Sequence, residues 1–294
     1  MKIVVSIPTY NTPPVLLRRS VQSVLQQTHD DVLIVVVWDG GSRTPLGLSD
    51  PRLIEFGWEE NYGRFFADAV VTQALALRKN VLWKPHDADD WSEPYALELL
   101  ANSQVDGVSF SPHFVHETGL EPRVQRLNEK ILHRPRKPRR LHTARMVARR
   151  LKRGGIRIPS QITNVVSGGA SWCSGLYSLE RVARAGGVHP EFRTSYDSMF
   201  VRLVARTGRV GLTTVPTYHY DRTGTESLTR SRATSTGSDV REQQIKKLVW
   251  LDRISWLTDI PGDAVRASIT EATDARVTRF AEKLEPMLAP AVDK

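Results

Sequence analysis

Three aspartates stand within four residues in the stretch 86–90, which we call the acidic loop. Carboxylates this close repel one another, so a cation or a network of hydrogen bonds must hold Asp87, Asp89 and Asp90 together. Alternating aspartates can coordinate a hard divalent ion through oxygen and leave positions open for phosphate oxygens and water. A metal ion that bridges a diphosphate stabilises the charge of a departing leaving group. The alternative is a solvated acidic turn that caps the following helix, since Asp-x-Asp alone occurs often by chance.

Polar residues also follow two other predicted strands and open one predicted helix. Residues 8–11 end the first strand, Asp39 ends the second, and residues 61–64 begin the helix. The apolar runs 3–7 and 32–37 have the length and composition of parallel strands buried on both faces. In a parallel sheet, ligands bind beyond the carboxyl ends of the strands. We therefore expect these polar residues and the acidic loop to meet at one edge of a sheet.

The elements that must position these residues alternate along the chain. Thr12 can cap the first helix, with Pro13 and Pro14 in its first turn, where a missing N–H costs nothing. The alternation predicts an α/β domain with a parallel sheet and right-handed crossovers. Further helices are predicted at 64–77, 93–100 and 198–206, and further strands at 81–83, 107–110 and 210–215.

Four motifs in order, VSIPTYN, VVVWDGGS, ENYGR and KPHDADDW, resemble those of the family 2 glycosyltransferases of the GT-A fold. The resemblance covers roughly the first hundred residues and, less closely, residues 167–229. It implies a Rossmann-like nucleotide-diphospho-sugar transferase domain, with a mixed, mainly parallel sheet flanked by helices. It also implies an inverting enzyme that uses Mn²⁺ or Mg²⁺ to transfer a sugar from a UDP-sugar to a hydroxyl group.

The same resemblance assigns roles to particular residues. Residues 8–10 line the base pocket, and Asp39 accepts a hydrogen bond from the base. Asp87 contacts the ribose or the metal, Asp89 ligates the metal, and Arg64 lies near the phosphates. The full set implied for the nucleotide sugar is Pro8, Thr9, Tyr10, Asn11, Asp39, Arg64, Asp87, Arg222 and Ser227.

The sequence departs from the family pattern in two places. The usual Asp-Asp-Gly-Ser is Asp39-Gly40-Gly41-Ser42, so one of its two acids is absent. The common Ala-Arg-Asn is replaced at residues 67–69 by Ala-Asp-Ala, which removes a basic residue. The second change leaves open how this region meets a diphosphate.

A candidate catalytic base lies in the second half of the chain. In ARAGGVHPEFRTSYDSMF, Asp197 stands where the family places an acidic residue at the start of a helix. An inverting transfer needs one carboxylate to take the proton of the acceptor hydroxyl. The alternative is a helix-capping aspartate stabilised by the helix dipole.

Residues 217–229 resemble the segment in which the family completes its metal site and closes over the donor. His219 is a candidate metal ligand, although a lone histidine is more often a surface or core residue. Arg222 and Ser227 would meet the diphosphate after closure. Trp91 and Trp172 could support a sugar, but packing in the core is the commoner use of tryptophan.

The stretch 130–153 holds eleven Lys or Arg and no acidic residue, in a chain of net charge +9. This excess predicts a polyanionic acceptor, and duplex DNA fits best because phosphate contacts need no sequence readout. An enzyme of this kind could glucosylate a hydroxymethylated base in viral DNA, either after flipping the base out or by accepting it partly exposed. The predicted acceptor surface, which we call the basic run, comprises Arg134, Arg136, Lys137, Arg139, Arg140, Arg145, Arg149 and Arg150.

Several alternatives remain open at this stage. The basic run could lie on anionic lipid and serve a lipid-linked or cell-envelope glycan, or the acceptor could be a protein. It could also be an ordinary solvated face. A nucleic-acid-binding protein with a decayed site is the non-enzyme alternative, and Asp87, Asp89 and Asp197 argue against it. A nucleotidyltransferase would need a Gly-rich phosphate loop or a Lys-bearing signature, which the N-terminal region does not show.

The predicted organisation is a GT-A domain over residues 1–238 and a helical extension over 239–294. Within the domain, residues 1–110 bind the nucleotide sugar, 128–155 form a basic insertion, and 156–238 carry the acceptor half. The single cysteine, Cys173, is expected to be a buried small hydrophobe and indicates a reducing compartment. With no apolar run of membrane-spanning length, the protein is expected to be cytoplasmic, or in the host cytoplasm if viral.

Overall fold

A computed structural model describes residues 1–76, 78, 80–132, 169–188, 196–223 and 276–288. The strands are β1 (Lys2–Thr9), β2 (Val32–Asp39), β3 (Leu53–Trp58), β4 (Val81–Pro85), β5 (Trp91–Ser92), β6 (Val108–Phe110), β7 (His113–Glu117), β8 (Leu120–Gln125), β9 (Gly175–Ser178), β10 (Gly211–Leu212) and β11 (Tyr218–Asp221). The helices are α1 (Pro14–Leu25), α2 (Arg64–Leu75), α3 (Ala96–Asn102), α4 (Glu129–Leu132), α5 (Leu179–Arg184) and α6 (Asp197–Arg206), and residues 276–288 are also helical.

Seven strands form the main sheet in the order β10-β6-β9-β4-β1-β2-β3. β1 pairs in parallel with β2 and β4, and β2 pairs in parallel with β3. β9 lies antiparallel between β4 and β6. All eight residues of β2 are buried, as its unbroken apolar run predicts for a strand covered on both faces. The expectation of a mixed, mainly parallel sheet flanked by helices is confirmed.

Alternation along the central strands divides the core into two apolar layers. One layer holds Val4, Val35 and Val37 together with side chains of α2 and α6. The other holds Ile34 and Val36 with α1 and α3. α1 buries Leu17, Val21 and Val24, and Leu25 packs against them, but its N-cap is Pro13 rather than Thr12.

A second sheet of four strands, in the order β5-β11-β7-β8, was not predicted. Trp91 of β5 pairs with His219 of β11, and His219 pairs with Phe114 of β7. This pairing explains a correction: residues 91–92 form a strand, so the helix expected at 93–100 begins at Ala96. The strand expected at 210–215 covers only Gly211–Leu212.

The helical segment 276–288 packs on the layer formed with α2. Phe280 and Leu284 are buried there, and the ring centroids of Phe280 and Phe56 are 4.8 Å apart. The rest of the predicted extension lies outside the described residues. None of the helices in the described ranges is both long and apolar enough to cross a membrane.

Candidate active site

The aspartates of the acidic loop have three different environments. Asp90 is fully buried and accepts hydrogen bonds from the Tyr218 hydroxyl at 2.6 Å and the Asp221 backbone N–H at 2.7 Å. Burial, reinforced by the charge of Asp89, raises the pKa of Asp90 well above its usual range. Asp90 therefore anchors the acidic loop to β11 and is not available to a ligand.

Asp87 forms an ion pair with Arg64, the first residue of α2. The Arg64 guanidinium also lies 3.6 Å from Asp68 Oδ2 and donates to Cys173 Sγ at 3.0 Å. The backbone of Asp87 is fixed as well, because its N–H donates to the Tyr218 hydroxyl at 3.2 Å. Cys173 is buried, as predicted, and its carbonyl accepts a hydrogen bond from Lys84 Nζ.

Position 68 carries an aspartate where the family pattern has a basic residue, and Arg64, one helical turn earlier, pairs with it. Residues four apart share a face of a helix, so an arginine one turn earlier can reach the acidic loop from the same side. Asp68 is fully buried and accepts a hydrogen bond from Ser6 Oγ at 2.6 Å, and Ser6 accepts one from Trp83 Nε1 at 2.9 Å. Burial raises the pKa of Asp68 to about 6, against the opposing effects of Arg64 and Ser6.

Asp89 is only partly buried, and its neighbours include two residues that sequence reasoning missed. Arg19 of α1 donates to the backbone carbonyl of Asp89 and, at 2.7 Å, to Asp221 Oδ2. The Arg19 guanidinium lies 4.1 Å from the centroid of the Trp91 ring. Asp221 ends β11, and the rule that ligands meet strand ends could have indicated it.

Burial raises the pKa of Asp89, and the charge of Asp221 raises it further, against Arg64 and Arg19. Burial also raises the pKa of Asp221, but hydrogen bonds from Thr223 and Arg19 outweigh it and leave that pKa below its usual value.

The carboxylate oxygens at this edge fit a Mg²⁺ or Mn²⁺ ion whose remaining coordination positions are filled by a bound substrate and water. The described residues contain no cluster of three or more His, Cys, Asp or Glu side chains arranged to bind a metal. Mg²⁺ is often bound by one or two carboxylates together with substrate phosphates and water. Asp87 and Asp89 provide such carboxylates, and in the described part of the chain Asp89 has no arginine ion pair to give up.

His219 is placed differently from the sequence expectation. Its Nε2 lies 2.8 Å from Glu93 Oε1 and its Nδ1 lies 2.9 Å from His116 Nε2. A neutral imidazole has one donor and one acceptor nitrogen, and both are used here. Its ring is stacked between those of Trp91 and Phe114, at centroid distances of 4.7 and 4.6 Å. In this arrangement His219 has no lone pair to offer a metal beside Asp89.

The two candidate sugar platforms are occupied by protein. Trp91 has Arg19 within 4.1 Å of its ring centroid and His219 stacked on it. Trp172 is 1% exposed and packs against Trp83 and Phe200. Both tryptophans thus pack within the protein.

Asp39 fastens the loop that precedes α2. Its Oδ1 accepts hydrogen bonds from Trp58 Nε1 at 2.6 Å and the Tyr62 N–H at 3.0 Å, and its Oδ2 accepts one from the Gly63 N–H at 2.7 Å. Asp39 is 2% exposed. Three of the roughly four acceptor positions of the carboxylate are therefore used by the protein.

The turn after β2 explains the absent second acid. Gly40 has a φ of +75°, and a Cβ there would lie 2.8 Å from the Asn61 backbone nitrogen. No side chain fits between these backbones, so position 40 cannot carry a carboxylate. The next residue, Gly41, packs on Asn11 and Tyr10, which brings the ends of β1 and β2 together. Tyr10 itself is half exposed at this edge, whereas Thr9 is buried and Pro8 partly buried.

Asp197 is an exposed residue at the start of α6. The preceding Tyr196 is buried, with its ring 5.4 Å from Phe65 and 6.2 Å from Trp172. The Arg64 guanidinium lies 6.0 Å from Phe65 and 5.8 Å from Trp172. The start of α6 is thus packed on the same aromatic rings as Arg64.

The remaining predicted residues are not brought into this cluster. Arg222 forms an ion pair with Glu117 at 3.3 Å, and its guanidinium lies 4.9 Å from the Tyr220 ring. Ser227 and all eight residues of the basic run lie outside the described residues.

Comparison with known proteins gives a match of fold. No protein-family model and no curated protein matches the chain. Residues 1–349 of S. aureus TarS in complex with UDP-GlcNAc superpose with a TM-score of 0.61 at 15% identity, over 99% of this chain and 77% of that one. The same TarS region in complex with UDP superposes with a TM-score of 0.54 at 14% identity, over 98% of this chain and 92% of that one. A further TarS structure superposes with a TM-score of 0.53 at 14% identity, and this chain spans 55% of its length. The chain has the GT-A fold.

Proposed function

We propose that this chain is an inverting glycosyltransferase that uses a UDP-sugar and a divalent ion. The observation that carries the proposal is the edge where Asp87, Asp89 and Asp221 meet Arg19 and Arg64. When all are ionised, three carboxylates and two guanidinium groups leave one negative charge. The TarS structures of the same fold hold UDP-GlcNAc or UDP, which supports a nucleotide diphosphate as the ligand.

The arginines of this site are suited to bind a diphosphate. The Nε atom of Arg19 is buried and has no hydrogen-bond acceptor among the described residues, whereas that of Arg64 lies 3.6 Å from Asp68 Oδ2, beyond hydrogen-bond distance. A buried donor without an acceptor is costly, and phosphate oxygens are strong acceptors for guanidinium groups. Asp89, with Asp87, would hold the metal ion, which when bound would neutralise charge on the diphosphate leaving group.

Asp197 would act as the base. It takes the proton of the acceptor hydroxyl as that oxygen forms a bond to the anomeric carbon. The bond from the anomeric carbon to the diphosphate breaks, and its electron pair leaves with UDP. Attack from the face opposite the leaving group inverts the anomeric configuration. The exposure of Asp197 at the start of α6 leaves its carboxylate accessible to an acceptor.

The acceptor proposed is a hydroxymethylated base in DNA. It rests on the basic run and on the stretch 130–153 that contains it, in which eleven Lys and Arg have no acidic residue among them to offset their charge. Phosphate contacts by such a segment give affinity for DNA without choice of sequence. The sugar would be transferred to the hydroxymethyl oxygen of a base that is flipped out of the duplex.

A transfer assay tests both levels of the proposal. The full chain is incubated with Mn²⁺ and a panel of labelled UDP-sugars, with hydroxymethylated and unmodified duplex DNA as acceptors. Label in the hydroxymethylated DNA alone supports donor and acceptor together. Hydrolysis of a UDP-sugar without labelled DNA supports the transferase and contradicts the DNA acceptor. No turnover of any nucleotide sugar contradicts the proposal.

A further inference from the structure

Residues 59–63, which we call the donor loop, are fastened from two sides. On the inner side, the Asp39 carboxylate accepts hydrogen bonds from the backbone N–H groups of Tyr62 and Gly63. On the outer side, the donor loop meets the helical segment 276–288. Because Gly63 directly precedes Arg64, any shift of the donor loop also moves the start of α2 and the arginine that pairs with Asp87.

Arg276 makes the outer contact through its guanidinium group. Its Nη2 donates to the Tyr62 hydroxyl at 2.7 Å, and the guanidinium carbon lies 4.5 Å from the centroid of the Tyr62 ring. The same carbon is 5.6 Å from the Phe66 ring and 6.0 Å from the Trp58 ring. Cations within about 6 Å of an aromatic face are attracted by the ring quadrupole.

The three rings touched by Arg276 form one cluster with the donor loop. Tyr62 stacks on Phe66 at 4.7 Å, and Trp58 meets Phe66 edge to face at 5.3 Å. Trp58 also donates its indole N–H to Asp39. One guanidinium thus contacts both the ring of a loop residue and the tryptophan that holds the Asp39 carboxylate in place.

The helical segment has other anchors that do not involve Arg276. Phe280 packs on Phe56, and Leu284 is buried in the same layer. Lys283 Nζ donates to the Glu55 carbonyl, and Glu285 pairs with Arg78. The helix therefore stays docked when Arg276 is replaced, and the effect of Arg276 on the donor loop can be measured separately.

We infer that Arg276 is a positioning residue of the donor-nucleotide site, which ties a helix more than two hundred residues away in sequence to the donor loop. The inference rests on the proposed function. It predicts that Arg276 lowers the dissociation constant for the nucleotide by holding the Asp39 hydrogen bonds and the start of α2 in place. It does not act on the transferred sugar.

The test compares R276A with R276K and with the matched control R279A, all in the full chain. Arg279 is an exposed arginine on the same helical segment. Hydrogen exchange of the Tyr62 and Gly63 amides is measured without ligand, and binding of UDP with Mn²⁺ is measured by calorimetry. We expect R276A to speed exchange and weaken UDP binding by roughly five- to tenfold, as for one partly desolvated cation–π contact. R276K keeps the charge over the rings, so its amide exchange and UDP affinity should lie closer to those of the wild type. The control R279A should match the wild type in both measurements.

The outcomes separate the inference from the proposed function. Unchanged amide exchange in R276A overturns the inference whether or not UDP binds. Faster exchange with unchanged UDP affinity overturns it too, because the contact would then serve stability alone. A wild-type chain that binds UDP tightly while R276A and R279A behave alike leaves the proposed function standing and removes the inference. A wild-type chain that binds no UDP overturns both.

Discussion

The neighbours of each aspartate decide its state within the acidic loop. Asp90 is buried under Tyr218 and the backbone of Asp221 and serves as an anchor. Asp87 is neutralised by Arg64. Asp89 keeps a partly exposed carboxylate whose pKa is raised by burial and by the charge of Asp221. The cation binding that we propose for Asp89 is consistent with this position, because a nearby cation would offset both the desolvation of the carboxylate and its repulsion by Asp221.

Replacing Asp89 by Asn tests this assignment at the residue scale. We expect D89N to lose Mn²⁺ binding and to lower kcat/KM for sugar transfer by at least about a hundredfold, as for loss of a group that stabilises leaving-group charge. Thermal unfolding should stay close to that of the wild type, since Asn is isosteric with Asp. Mn²⁺ binding is measured by electron paramagnetic resonance and transfer by label incorporation.

The control for this prediction is D30N, which changes an exposed aspartate before β2. It removes the same charge without touching the acidic loop. Normal Mn²⁺ binding and transfer in D89N would show that the metal assignment is wrong.

At the scale of elements, the turn after β2 joins the donor loop to the sheet through a close backbone approach. Gly40 is buried at a φ of +75°, with the Asn61 nitrogen and the Glu60 carbonyl carbon each 2.8 Å from where a Cβ would lie. Gly119 has the same φ of +75°, but no atom lies within 4 Å of its Cβ position. Comparing substitutions at the two glycines therefore separates the cost of a left-handed backbone conformation from the cost of crowding by neighbouring backbone atoms.

We expect G119A to lower the free energy of unfolding by about 1 kcal/mol, the cost of a left-handed non-glycine residue. G40A should lower it by roughly 3 kcal/mol or more, because backbone atoms must also move. Urea denaturation of both variants measures the difference. Equal losses would mean that the donor loop yields freely and that Gly40 is not needed for the close approach.

His113 on β7 makes the second sheet sensitive to acid. Burial, with smaller effects of Arg222 and Arg123, lowers the pKa of His113 to about 4. The unfolded chain, with an ordinary histidine pKa of about 6.5, binds a proton first as the pH falls. The contribution of neutral His113 to the free energy of unfolding is therefore fully present above pH ~6.5. It is lost as the pH falls to about 4, which lowers the free energy of unfolding by on the order of 3 kcal/mol.

The variant H113Q should flatten part of this pH dependence. The buried His86, whose pKa is also lowered by burial, accounts for a further part in the same direction. The free energy of unfolding is compared between pH 7.5 and 4.5, with H29Q at a surface histidine as the control. A slope in H113Q as steep as in the wild type would mean that His113 is solvated or paired in the folded state.

At the scale of the whole molecule, elements from both halves of the chain bring the charged residues of the candidate site together. Arg19 links α1 to Asp221 of β11, and Arg64 links α2 to the acidic loop. The eight residues of the basic run contribute to the net charge of +9 that the whole molecule carries. Charge of this amount attracts anionic partners at long range and is screened by salt.

We expect DNA affinity to fall steeply with salt, with a slope of about −0.9 in log K against log salt for each phosphate contact. Replacing Arg139, Arg140, Arg149 and Arg150 by Gln should reduce the slope and leave UDP-sugar hydrolysis unchanged. Fluorescence anisotropy with duplex DNA from low to moderate salt measures both slopes. Equal slopes for the variant and the wild type would count against the basic run as the DNA surface.

Much of the fold could be predicted because its signals are local. The unbroken apolar runs of β1 and β2, and the helical spacing of α1, are set by the burial of neighbouring residues in the chain. The second sheet was missed because its strands are short, and β8 is exposed along most of its length. Short strands carry little periodicity, and their pairing depends on partners that come from distant parts of the sequence.

The sequence by itself determined the α/β class, the polar residues at the strand ends and the aspartates of the acidic loop. Only the tertiary structure decided that Asp90 is an anchor, that Arg64 reaches Asp87 where a basic residue at 68 is lacking, and that His219 is paired with Glu93. The physical reason is that burial and ion pairing depend on which side chains packing brings close. Arg19 and Asp221 are 202 positions apart in sequence, and Tyr62 and Arg276 are 214 apart, so no local pattern could pair them.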